Sequence, residues 1–192
     1  MKYIHSLLLT IFLFSSTLIG AQSPGLVVQA GLSTAYAKDG NITNKNQGHY
    51  GYFIGADARI LEGGMYFIIG GQYHATSLTS TSDPEFFKNN DWKILMTRLG
   101  LGFNLVQFSD KLTLRSKLLG SINFNLDSPK DALNIPNYED LNDSFLGATT
   151  GLGVTIGFID IDLDFQYGFI NAYTKQPKST FDFWTLGVGA HF

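Results

Sequence analysis

One pattern limits this chain more than any other: polarity alternates with a period of two residues in eight separate stretches that together cover most of its length. Successive side chains of a strand point to opposite sides of a sheet, so such alternation marks a strand lying between two different environments. The pattern predicts strands over about 26–36, 50–60, 65–76, 93–105, 111–126, 145–157, 160–172 and 180–192. In the fourth, Leu95, Thr97, Leu99, Leu101 and Phe103 oppose Arg98, Gly100, Gly102 and Asn104. In the seventh, Ile161, Leu163, Phe165, Tyr167 and Phe169 oppose Asp162, Asp164, Gln166 and Gly168. Parity switches across Leu61 to Gly64, where a turn absorbs it. No Asp, Glu, Lys or Arg falls on the apolar side within the strand bodies.

Alternation alone fits both a soluble barrel with an apolar core and a membrane barrel with an apolar exterior. Three features favour the second. The connections alternate long and short, as in barrels with short periplasmic turns and longer external loops. Several strands reach the length that crosses a bilayer at a tilt, beyond the usual five or six residues. Aromatic residues gather toward both rims of the apolar side: Tyr52, Tyr73, Phe124, Phe169 and Trp184 at the long-loop end, Phe67, Phe103, Phe158 and Phe192 at the other. Such residues form interfacial girdles. The Phe, Tyr and Trp side chains are accordingly assigned to the lipid face rather than to a ligand platform.

Hydrocarbon leaves no water for unpaired backbone groups, so the sheet must close. The expected fold is therefore all-β: an eight-stranded antiparallel up-and-down transmembrane barrel, whose interior is just wide enough for side chains to fill. Glycines 51, 55, 100, 102, 151, 153, 187 and 189 share the inward parity and make room for long polar side chains. The same parity holds Asp57, Arg59, Arg98, Arg115, Lys117, Asp162 and Asp164, expected to form an ionic network in a plugged lumen.

Composition agrees. Of 192 residues only 15% are charged, there is no cysteine, and the net charge is -3. These figures exclude a disulfide framework, thiolate chemistry and the basic footprint of a nucleic-acid binder. Lys2, an apolar run from Leu7 to Phe14 and the small residues ending at Ala21 read as a cleaved secretory signal, too short to span about 30 Å of hydrocarbon. The expected organisation is thus a signal peptide over 1–21 and an outer-membrane barrel over 22–192.

From Gln22 to Phe192 the chain resembles the small outer-membrane β-barrel proteins of gram-negative bacteria, more closely the PorT-like family and more loosely the OmpA, OmpX and OmpW barrels. The likeness rests on the signal, the Gly-rich stretch Arg98-Leu99-Gly100-Leu101-Gly102-Phe103, and a last strand with Trp184, Leu186, Val188, Ala190 and the C-terminal Phe192 at alternate positions. That ending resembles the signal read by barrel-assembly machinery. The resemblance implies an outer-membrane location with both termini periplasmic, and a link to secretion or gliding machinery that no single residue carries. Expected partners are outer-membrane lipid, the assembly machinery and a protein at the external loops; no cofactor is expected.

Catalytic readings are weaker. A hydrolase or acyltransferase needs a base beside a Ser and an orienting group. His74 with Ser77 or Ser80 and Asp83 is the one candidate set; His49 is assigned to a long loop and His191 to the inward face at the other end. Asp127, Asp131, Glu139, Asp140 and Asp143 crowd one loop but lack calcium-loop spacing. Gly151-Leu152-Gly153 lacks the third glycine and the helix of a dinucleotide turn. The chain is read as non-enzymatic, with a lipid-modifying enzyme or a narrow solute channel as alternatives.

Overall fold

The computed structural model describes residues 25–37, 49–61, 63–77, 86–87, 92–128, 140–175 and 179–192. The signal-peptide assignment over 1–21 lies outside them. The strands are β1 (Gly25–Ala37), β2 (His49–Ile60), β3 (Met65–Thr76), β4 (Trp92–Ser109), β5 (Leu112–Asp127), β6 (Ser144–Ile156), β7 (Ile159–Gly168) and β8 (Phe181–His191). Each pairs antiparallel with the next, and β8 pairs with β1, closing the eight-stranded barrel that the alternation predicts. At the seam the amide of Leu26 donates to the carbonyl of Phe192 (3.0 Å) and that of Phe192 to Leu26 (2.8 Å), so no edge is left between the first and last strands.

Two strand ends depart from expectation. β4 runs on to Ser109 rather than Leu105, with register irregularities at 104/106 and 107/109. Met65, the first residue of β3, pairs with Phe103, so the β4–β5 hairpin projects past its β3 neighbour at the short-turn end. β7 stops at Gly168 instead of Ala172. There the amide of Gly168 donates to the Asp182 side chain (3.0 Å), and the amides of Ala172 and Tyr173 donate to the carbonyl and hydroxyl of Ser179 (2.6 and 3.1 Å). The chain thus folds inward, and Ala172 and Tyr173 become buried. The β6–β7 connection is reduced to Gly157 and Phe158, and Gly157 takes the left-handed conformation (φ 65°) that a two-residue turn needs and that glycine adopts without steric cost.

The outer wall is apolar: Leu99, Leu118, Leu152, Leu163, Leu186 and Val188 are all exposed. The polar parity faces inward and is buried. One expectation is corrected. Aromatic residues are not confined to the outer face, because Phe53, Trp92, Phe145, Phe181 and Phe183 point into the lumen near the long-loop end, where all but Phe53 pack with Ala35, Ile94, Ala172 and Tyr173 and Phe53 lies against His74. Each sits at the inward parity of its strand. Only the general association of aromatics with lipid assigned them outward.

Inward glycines are required sterically. A Cβ on Gly102 would enter the Tyr66 ring, and one on Gly153 would collide with the Asp162 carboxylate, whereas on the outer wall a Cβ on Gly120 meets nothing nearer than 3.9 Å. Gly153→Val should therefore destabilise the barrel by about 1–3 kcal/mol through overpacking, while Gly120→Leu should be near neutral. Urea midpoints of the two refolded variants check this ordering.

Candidate functional site: the filled lumen

The polar parity of all eight strands converges on the barrel axis, and the site is built where long ionic side chains meet there. Arg98 on β4 grips Asp57 on β2 with two hydrogen bonds, the Nε contact at 2.8 Å and the second from Nη2 to Oδ2, and its Nη1 lies 3.6 Å from Asp164 on β7. Gln29 on β1 adds a donor to Asp57 at 2.7 Å. Lys117 on β5 reaches Asp164 at 2.9 Å and Asp162 at 3.5 Å. Arg115, also on β5, lies 3.4 Å from Asp162 and 3.0 Å from Asp160. Arg59 on β2 donates to Asp160 at 2.6 Å. All seven residues expected in the lumen are thus brought together, and all are buried.

Asp160 is the member that sequence reasoning left out. It lies one residue past the start of β7, beside the turn. The signal was nonetheless present: Asp160, Asp162 and Asp164 occur at every second position and share one face. With Asp160 the network holds Asp57, Asp160, Asp162 and Asp164 against Arg59, Arg98, Arg115 and Lys117, so its formal charges cancel. Thr155 also donates to Asp160, at 2.6 Å. A buried charge is tolerated only when paired and hydrogen-bonded, and here every ion has an opposite partner.

Register explains how these side chains fit. Asp57 and Arg98 both face Gly70 across the ladder. Lys117 faces Gly102 and Gly151, and Arg115 faces Gly153. Asp162 faces Gly153 and Gly187, Asp164 faces Gly151, Asp160 faces Gly189, and Arg59 faces Gly25. Each ionic residue therefore has a glycine as a direct cross-strand partner, and Asp57 over Gly70, Asp164 and Lys117 over Gly151, and Asp162 and Arg115 over Gly153 lie where a Cβ would stand.

Toward the long loops the ionic layer gives way to amides and hydroxyls. Ser121 donates to Gln166 (3.1 Å), Gln166 to Asn123 (3.3 Å), and Asn123 to the carbonyl of Phe145 (3.2 Å). Beyond them stands the aromatic layer, in which Trp92 and Phe181 have ring centroids 4.7 Å apart and Phe53 stacks on His74 at 5.4 Å. A cavity of about 10 Å³ lined by Gln72, Arg98, Asp164 and Phe183 lies between the layers, room for about one water. At the short-turn end a wider vestibule of about 270 Å³ is lined by Arg59, Tyr66, Asn104, Asp110, Arg115 and His191.

Of the catalytic candidate set, His74 and Ser77 are among the described residues, and both are buried. His74 is 0% exposed, its ring Nε2 donates to Gln72 (3.1 Å), and Phe53 and Phe183 enclose it. Ser80 and Asp83 lie outside the described residues. His49 is not in a loop: it opens β2, points inward, meets the carbonyl of Ser77 at 2.7 Å and packs edge-on against Phe181. Of the acidic loop residues, Asp127 pairs with Lys93 at 2.6 Å, Asp140 and Asp143 line an open pocket with it, and Asp131 and Glu139 lie outside the described residues. Among the described residues no group of three His, Asp or Glu is placed to hold a metal ion. The alternating residues of the last strand, Trp184, Leu186 and Val188, face outward on β8, and Phe192 is exposed at the seam.

No protein-family model matches the chain, and no curated protein matches it. Among solved structures it is similar to Neisserial surface protein A, with a TM-score of 0.54 and 14% identity over 87% of this chain and 97% of that one. It is also similar to Ail, the attachment invasion locus protein of Yersinia pestis, with a TM-score of 0.47 and 14% identity over 89% and 100% of the two chains. The first likeness is one of fold: an all-β, closed, eight-stranded antiparallel barrel.

Removing one member of a buried pair strands the other, at a cost of about 3–5 kcal/mol. Arg98→Met should accordingly lower the unfolding free energy by that order, and the double variant Arg98→Met, Asp57→Leu should recover a large part of the loss. Urea titrations of the three proteins test the coupling, and the deficit should change little with salt because the pair is buried.

Proposed function

We propose that this chain is an integral outer-membrane barrel of a gram-negative cell, with a side-chain-filled lumen, periplasmic termini, external long loops and a structural or accessory rather than catalytic role. One observation carries the reading: the molecule is inverted. Leu99, 61% exposed, stands on the wall of β4 next in sequence to Arg98, which is buried inside. In water this arrangement would expose a continuous apolar band, far larger than the patches of a soluble monomer. In lipid the band is solvated by acyl chains, and closure of the sheet satisfies the backbone.

The filled lumen argues against a diffusion pore, and the burial of His74 argues against a lipid-modifying centre at the rim. The outward Trp184, Leu186, Val188, Ala190 and Phe192 support recognition by barrel-assembly machinery. A surface or secretion association rests on the PorT-like resemblance alone.

Leu99→Arg provides the discriminating experiment. On the outside of a soluble barrel it would be nearly neutral, whereas near the middle of a bilayer it costs about 2–4 kcal/mol. We expect a loss of that order in lipid vesicles, and heat-modifiable migration of the parent protein extracted from outer membranes; recovery as a soluble periplasmic protein would overturn the assignment. In planar bilayers the parent protein should be silent, and regular conductance steps would favour the channel reading instead.

A further inference from the structure

Part of the connection between β3 and β4 does not extend away from the barrel but lies against its outside. Phe86 packs edge-on against Tyr50, with ring centroids 5.2 Å apart, and Phe87 stacks on Tyr52 at 5.8 Å and 27°. Tyr50 and Tyr52 have the outward parity of β2, shared with Ile54, Ala56 and Ala58, so both phenylalanines sit on the apolar wall rather than over the mouth. Tyr50 lies in one register row with Thr34 and Trp184, and Tyr52 in the next with Leu32, Leu186 and Ala75. That is the external end of the apolar band.

Phe87 keeps 76% of its surface exposed even after stacking on Tyr52. Nothing among the described residues of the barrel covers its outer side. On a soluble surface a lone exposed Phe would need no explanation. Here it continues an aromatic cluster, Tyr50, Tyr52, Phe86 and Phe87, that is contiguous with the lipid-facing wall. Aromatic rings at this level favour the membrane–water boundary, where an apolar body meets lipid beside polar headgroups. Lys93, whose neighbour across the ladder is Ala75, pairs with Asp127 at 2.6 Å on the same rim and supplies polar groups at headgroup height.

We propose that Phe86 and Phe87 anchor their own stretch of the β3–β4 connection in the outer-leaflet interface, where these two side chains grip lipid rather than face a soluble partner. The inference rests on the outer-membrane reading. It assigns lipid as the occupant because the patch is continuous with the wall that lipid covers. The long loops are then unequal: one is tied to the membrane beside β2, and the inward-folded residues 172–173 between β7 and β8 close the mouth.

The absence of cysteine in the parent sequence makes the test direct. Single-cysteine variants Phe87→Cys, Leu99→Cys and Asp140→Cys of the full barrel would carry a nitroxide in vesicles of phosphatidylethanolamine and phosphatidylglycerol. Collision with oxygen, which concentrates in lipid, would be compared with collision with a water-soluble nickel chelate. We expect the oxygen-to-nickel ratio at position 87 to lie between the two, below that of the deeper Leu99→Cys and well above that of Asp140→Cys. A ratio at 87 equal to that at 140, with 99 still lipid-like, overturns the anchor and leaves the membrane reading standing; an aqueous ratio at 99 overturns both. Phe87→Trp in a Trp184→Phe background keeps the aromatic ring, with the lumen-buried Trp92 measured as a baseline in Trp184→Phe alone: quenching of the added emission by lipids brominated near the headgroup is expected, and quenching by aqueous iodide alone would overturn the anchor.

Discussion

The structure depends on neutralising eight charges inside a tube of side chains. Bringing an ion out of water costs several kcal/mol even after relaxation, and the cost is offset only when an opposite charge and further hydrogen bonds stand within reach. Asp57, Asp160, Asp162 and Asp164 against Arg59, Arg98, Arg115 and Lys117 meet that condition as a connected set. Much else follows from it. Glycines are placed where the long side chains lie across neighbouring strands, and hydroxyls and amides fill remaining donor and acceptor positions.

The division of labour along the axis is equally physical. The ionic layer occupies the half of the lumen toward the short turns, where Asp160 stands just beyond the β6–β7 turn. The opposite end is filled by rings, with Trp92 against Phe145, Phe181 and Phe183, Phe145 stacked on Phe183, and Tyr173 reaching Phe181 at 6.4 Å. An aromatic plug needs no counterions, and it buries large apolar surfaces in a space that lipid cannot enter. Two different solutions therefore stop the same tube, one polar and one apolar.

Much of this was legible in the sequence. The two-residue period determined strand number, facing and closure, because a strand between unlike environments can alternate in only one way. The inward position of Arg98 or Lys117 followed from parity alone. What parity could not supply was partner choice across the lumen: Arg59 and Asp160 are 101 residues apart and sit on strands that are not neighbours. Asp160 was missed because a strand's first residues resemble its turn, and the inward aromatics were missed because chemical habit was allowed to outweigh their parity. The early end of β7 depended on Ser179 and Asp182, contacts that no local pattern announces.

The distance between Arg59 and Asp160 also bears on how the barrel comes together. β2 and β7 reach each other only through the lumen, and the lumen exists only once β8 has joined β1. Before that seam forms, a partly built sheet can already hold Asp57 with Arg98 across β3, and Arg115 and Lys117 with Asp160, Asp162 and Asp164 across β6, but it leaves Arg59 without Asp160. Sealing the seam therefore supplies the partner that Arg59 lacks, so a half-zipped barrel is penalised by one unpaired buried charge as well as by its open edges.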